Sequence, residues 1–203
     1  MPRARRSVEV RREEILAAAV GEITERGVGA TRVADVARVL RVSPALVFYH
    51  FKTKDQLLAA AFEYAAQRDL DRLAAVLARP GPALARLKAV LRLYQPAGSG
   101  STAWTLWVDG WAAALRSPDL RRASKRLDLR WKEGLAALIA EGVAAGEFDC
   151  ADPQAAAWRI TALMDGLSVQ VTVHRGLVGR REAAGWAREQ TARELGLKPD
   201  ALD

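Results

Sequence analysis

The residues with chemistry to offer fall into two groups. The first lies within residues 31–56, where Thr31, Arg41, Ser43, Tyr49, His50, Lys52 and Lys54 supply hydroxyls, an imidazole and cations. Small or apolar Pro44, Ala45 and Phe48 stand among them. Hydroxyls and cations suit phosphate oxygens, whereas small apolar groups suit thymine methyls and close approach to base edges. The second group is aromatic: Trp104, Trp107 and Trp111 at i, i+3 and i+7, with Tyr94, Trp158 and Met164 elsewhere in the body. Such a set is either core or a pocket for a flat or cationic molecule, with Asp109 or Asp165 as counter-charge. Catalysis and metal binding have little to draw on. Two histidines, His50 and His174, and the lone Cys150 make no metal cluster, no internal disulfide and no nucleophile–base pair, so no cofactor and no enzyme are expected.

Phosphate-seeking side chains need a rigid carrier, and residues 31–56 encode one. Thr31 can cap a helix in which Val33, Val36, Ala37 and Leu40 form one apolar face. Capping and a phosphate contact explain Thr31 equally well. Ser43 offers a second N-cap with Pro44 at N1, where a missing N–H and a fixed φ cost nothing. Val42, Val47 and Phe51 turn inward, leaving Pro44, Ala45, Phe48 and Tyr49 outward. Two short helices joined by a three-residue turn form a helix-turn-helix, whose second helix is shaped for the major groove. Upstream, Ile15, Ala19 and Ile23 mark an amphipathic helix over residues 8–26 that Gly27 stops. Downstream, Thr53 and Gln56 form a capping box for a long helix to about residue 79, with Lys52 and Lys54 at its phosphate-seeking N-terminus. That helix belongs to the head at one end and the body at the other.

The run Val-Ser-Pro-Ala-Leu-Val-Phe-Tyr-His-Phe-Lys-Thr-Lys-Asp-Gln-Leu-Leu at residues 42–58 resembles the signature of the tetracycline-repressor (TetR) family of one-component regulators. The resemblance covers residues 8–62 strongly and the remainder by length and helix count. It implies that Lys54 is the phosphate-contacting lysine at this junction, and that two C-terminal helices of each subunit build a four-helix dimer interface. Two positions depart from the pattern: Arg41 stands where the turn usually has Gly, and Phe48 where it has Tyr. A non-Gly residue held left-handed costs roughly 1–2 kcal/mol, and Phe48 lacks a hydroxyl, which leaves Tyr49 as the candidate phosphate donor. Residues 152–171 are also similar to the C-terminal region of the betaine-synthesis repressors within the family.

Charge follows the same division. The chain of 203 residues carries a net charge of +7, of which residues 1–54 hold eleven basic against six acidic side chains. The remaining residues carry 20 basic and 18 acidic groups, so the excess sits with the helix-turn-helix. Residues 1–7 read as a basic arm for a groove or simply as a loose terminus. No secretory signal follows that arm, and no stretch is apolar enough for a membrane span, so a cytoplasmic protein without membrane contact is expected.

The body reads as helix throughout: residues 83–94, 102–115, 118–145, 153–174 and 181–195, with a loop at 96–101 and Pro at N1 behind Ser or Asp at Pro44, Pro118 and Pro153. Ile160, Leu163, Met164, Leu167 and Val171 form one stripe, and Ala183, Trp186, Ala187 and Leu195 another, joined either in a homodimer interface or in an internal core. The expectation is therefore an all-α chain of about nine helices: a helix-turn-helix head over residues 1–54 and a ligand-binding and dimerisation body over residues 55–203. Its function would be that of a ligand-responsive repressor, binding a palindromic double-stranded DNA operator as a homodimer. The alternative is an architectural DNA-binding protein or an activator that senses no small molecule. Almost no outward side chain of the second helix can make bidentate base contacts, so DNA shape, Arg41 or the arm would supply specificity.

Overall fold

The computed structural model describes residues 8–96 and 102–203, and the N-terminal arm and most of the 96–101 loop lie outside them. Among the described residues there are nine helices and no strand: α1 (Val8–Arg26), α2 (Val33–Leu40), α3 (Pro44–His50), α4 (Lys54–Leu77), α5 (Ala83–Tyr94), α6 (Thr102–Ala114), α7 (Pro118–Ala144), α8 (Pro153–Val173) and α9 (Arg180–Glu194). The chain divides into two compact units. One holds the described residues up to Gln67 together with Thr105–Arg126, and the other holds Arg68–Trp104 and Leu127–Asp203.

In the first unit the helix ends are set by local chemistry. Gly27, at φ 84°, ends α1. Arg41 stands left-handed at φ 54°, ψ 44°, and the amides of Arg41 and Val42 donate to the carbonyls of Arg38 and Ala37, closing α2. Ser43 Oγ accepts from the Leu46 amide at 3.3 Å, and Thr53 Oγ1 accepts from the Gln56 amide at 3.1 Å. Thr31 does not cap α2. It is buried, with its hydroxyl donated to the Gly27 carbonyl at 2.8 Å, and extended Arg32 occupies the cap position without a side-chain bond. Ile15, Ala19, Val36, Val47, Phe51, Leu57 and Phe62 form the core.

Residues 105–126 belong to this unit because α6 docks on it at three points. Trp107 meets the Phe62 ring edge-on at a centroid distance of 5.0 Å. Asp109 Oδ2 accepts the Val28 amide at 2.5 Å. Gly110 is so close to Phe62 that a Cβ there would lie 2.6 Å from a ring carbon.

In the second unit, α5 begins behind Pro82, which has no side chain to offer its free amides. Glu147, from the α7–α8 connection, supplies both oxygens instead, accepting from Ala83 and Leu84 at 2.9 Å each. Buried Arg86 donates to Glu141 and, at 3.1 Å, to the Leu77 carbonyl. Asp152 Oδ1 caps α8 by accepting from the Ala155 amide at 2.9 Å. α8 packs against α9: Ile160, Met164, Ala187 and Leu195 are buried within the chain. The two stripes expected to form one interface are thus divided. These residues fill the core between the helices, while Leu163, Leu167 and half-exposed Trp186 line an outer groove with Arg159, Gln190 and Arg193.

Candidate functional site

The outward surface of α3 gathers most of the residues singled out for DNA. Arg41, Ser43, Pro44, Ala45, Phe48, Tyr49 and Lys52 are all exposed, Tyr49 at 74 %. Val47 and Phe51 turn inward and anchor the helix, and Arg12 lays its guanidinium over the Phe51 ring at 4.7 Å. His50 is half-buried, edge-on to Tyr49 at 5.3 Å. Burial, then the Arg12 and Arg11 charges, hold its imidazole below the usual histidine range, so near neutral pH it is an uncharged donor and acceptor. Lys54, at the first turn of α4, reaches the Gly29 carbonyl at 3.2 Å. Thr31 stands apart from this surface, because its hydroxyl faces the backbone of the α1–α2 turn.

The aromatic set separates. Trp107 and Trp111, with ring centroids 5.9 Å apart, lie in the first unit, where Trp107 also meets Phe62. Trp104 lies in the second unit and donates its indole N–H to the Tyr94 carbonyl at 2.9 Å. The Tyr94 ring stands 5.6 Å from Trp104 and, edge-on, 5.0 Å from Trp131. Its hydroxyl donates to Asp165 Oδ1 at 2.5 Å. Burial raises the Asp165 carboxyl above the usual carboxylate range, opposed by the Tyr94 hydrogen bond and the Lys132 charge and assisted by Asp128. Burial, with the Asp165 charge, likewise pushes the Tyr94 phenol well up. Lys132 is buried, paired with Asp128, and sits 4.6 Å from the centroid of half-exposed Trp158. Met164 is buried beside a cleft lined by Gln95, Ser168 and Arg180.

This second cluster of three aromatic rings, two carboxylates and a buried ammonium differs from the expected tryptophan stripe. Asp109, offered as a counter-charge, instead holds the Val28 amide, and Asp165 is the carboxylate among the rings. Trp131 and Lys132 escaped notice. The signal for Trp131 was its i±4 spacing from Leu127 and Leu135, both of which are buried. Among the described residues no group of His, Cys, Asp or Glu could hold a metal ion, and no helix is long and apolar enough to cross a membrane.

A short capped helix presented outward behind a tight turn, in a chain whose described residues form helices and no strand, with a separate polar and aromatic cluster, defines a helix-turn-helix DNA-binding regulator. Comparison with known proteins makes that class specific. Residues 15–72 match the bacterial regulatory proteins of the tetR family, and residues 83–196 match the C-terminal domain of BetI-type transcriptional repressors. The chain belongs to the TetR family of transcriptional regulators, with a BetI-type C-terminal region. It is 28% identical over 185 residues to the transcriptional regulator BetI of Burkholderia cenocepacia, covering 89% of this chain and 92% of that protein. Among solved structures, a TetR-family regulator from Rhodococcus sp. is 30% identical with a TM-score of 0.75, covering 89% of this chain and 95% of that one. A transcriptional regulator from Saccharomonospora viridis, solved in complex with choline, is 27% identical with a TM-score of 0.82, covering 92% and 98%. The protein is therefore a DNA-binding transcriptional regulator and not an enzyme. Regulators of this family bind DNA operators, typically as dimers.

Proposed function

We propose that the chain is a ligand-responsive repressor that binds a palindromic operator as a homodimer and releases it when a compact organic cation enters the second unit. Residues 1–54 are the DNA-binding part and residues 55–203 the ligand-binding and dimerisation part. Pro44, Ala45 and Phe48 would meet base edges and methyls, with Arg41 as the one bidentate reader, while Ser43, Tyr49, His50, Lys52 and Lys54 meet phosphates. Leu163, Leu167 and Trp186 would pair with the same residues of a second copy about a two-fold axis. A Cβ at the nearby Gly166 would meet nothing in this chain, which leaves room there for a neighbouring backbone.

The observation that carries the effector reading is the Tyr94, Trp104 and Trp131 cluster closed by the Asp165 carboxylate. Aromatic faces and a buried carboxylate favour a cation that is easily stripped of water, such as a quaternary ammonium. The choline bound by the Saccharomonospora viridis protein is of that class. Trp104 lies in the first turn of α6, and five residues on, about 7.5 Å along the helix, Asp109 holds the α1–α2 turn. A shift of Trp104 would thus reach the head through α6. A ligand acts this way only by binding one head position better than the other.

Selection from random double-stranded DNA at two salt concentrations tests the first half: an enriched palindrome is expected. Titration of the selected operator complex with tetramethylammonium and with choline tests the second. Release by either, lost in Trp104→Ala, is the expected result, and indifference to both at millimolar concentration would remove the cation from the proposal.

A further inference from the structure

We propose that the corner between α6 and α7 is a second phosphate-binding surface, placing cations against the DNA backbone outside the groove assigned to α3. The inference rests on the DNA-binding reading above and begins from a deficit of charge. α3 contains neither Arg nor Lys. On the neighbouring helices Arg38 is paired with Asp35, Arg26 with Glu22, and Arg12 covers Phe51. Few cations of the described head are left for a polyanion that carries one negative charge about every 1.7 Å.

Residues 115–126 hold the missing charge. Arg116, Arg121, Arg122, Lys125 and Arg126 face a single acid, Asp119, and all five are exposed. Arg122 pairs with Asp119 and Arg126 with Glu63. Arg121 donates to the carbonyls of Ala114 and Leu115 at 3.1 and 2.9 Å, so its charge meets no carboxylate. Arg116 and Lys125 form no ion pair among the described residues. A merely solvated helix face mixes its signs, as α4 does with Arg68, Asp69, Asp71 and Arg72. This corner does not.

Its location fits the partner. The corner belongs to the same compact unit as α1, α2 and α3. α6 meets the α1–α2 turn at Asp109, whose carboxylate holds Val28, and the next residue, Gly29, is held through its carbonyl by Lys54. From Asp109 the helix runs only about 7.5 Å further before the basic corner begins. Cations of one compact unit, grouped near the turn that Lys54 grips, are arranged to add backbone contacts without reading sequence.

The test is the salt dependence of binding to a 30-base-pair duplex of mixed sequence, followed by fluorescence anisotropy between 50 and 200 mM salt. Each lost phosphate contact lowers the log–log slope by about 0.9. Arg116→Gln with Lys125→Gln removes two contacts from each subunit of the homodimer and should therefore lower it by about 3.6, shrinking the ratio of affinities at the two salts about 150-fold. Lys52→Gln, in the head, calibrates one contact per subunit. The melting temperature and the selected sequence should stay as in the wild type, and Lys125→Glu alone should lower the slope at least as far as one contact per subunit, about 1.8. A wild-type chain that binds with a slope the paired substitution leaves unchanged would overturn the second surface and spare the regulator reading. A wild-type chain that binds no duplex would overturn both.

Discussion

Replacing Asp109 by Ala should destabilise the protein through an amide 81 positions away in sequence: that of Val28, in the α1–α2 turn. Val28 is 2 % exposed, and its N–H donates to Asp109 Oδ2 at 2.5 Å. With the carboxylate gone, a buried donor is left unsatisfied, and hydrogen bonds to charged acceptors contribute about 1.5–3 kcal/mol. Taking about 2 kcal/mol, and a shift of about 2–4 °C per kcal/mol for a chain of this size, the melting temperature should fall by about 4–8 °C. Asp109→Asn keeps an acceptor oxygen but loses the charge, and should fall by about half as much. Thermal melts followed by circular dichroism measure both variants, and operator binding measured well below the melt reports whether the head has loosened. An Asp109→Ala protein that melts within about 1 °C of the wild type would refute the argument, because the Val28 amide would then find another partner at no cost.

Three further outcomes are expected. Arg41→Gly removes a left-handed non-Gly residue costing roughly 1–2 kcal/mol, part of which glycine's looser unfolded chain offsets; the melt should rise by about 1–4 °C while operator affinity falls, and unchanged affinity would show that Arg41 reads no base. Asp165→Asn should raise stability at neutral pH and weaken cation binding. Because the folded protein holds the Asp165 proton to higher pH than the unfolded chain does, wild-type stability falls as pH rises from the ordinary carboxylate range through the raised one. The gap between wild type and variant in pH-dependent melts should therefore close at low pH, and a gap that instead widens there would contradict it. Glu147→Ala strips α5 of its cap and should cost about 1 kcal/mol, or about 2–4 °C in the melt; no loss would mean that water caps Ala83 and Leu84 equally well.

How far the sequence reached depended on the distance over which each signal acts. Ser43–Pro44, Ser117–Pro118 and Asp152–Pro153 carry both the cap and the fixed φ in adjacent residues, and α3, α7 and α8 begin at those prolines. Thr31 offered a capping hydroxyl but no proline behind it, and that hydroxyl turned inward, because a capping threonine and a buried one bonded to the preceding turn are identical as letters. Periodicity placed Trp104, Trp107 and Trp111 on one helical face, but not the partners of that face: Phe62 and Tyr94 belong to different helices and different units. Tyr94 and Asp165 meet across 71 positions of sequence, and Glu147 reaches α5 across 64, so neither pairing has a local trace. The α8 and α9 stripes were found as apolar faces. Each face proved wide enough to serve the core on one side and the outer groove on the other.

The contact between Gly110 and Phe62 has an evolutionary consequence. It is shaped by an absent side chain, and an absence cannot be adjusted in small steps, since the least replacement adds a whole methyl where a ring carbon already stands 2.6 Å away. Descendants of this sequence can leave glycine at position 110 only if the Phe62 ring shifts or position 62 becomes smaller. The two positions should drift together or not at all, and a lineage that shrank Phe62 early would show it in every later choice at 110.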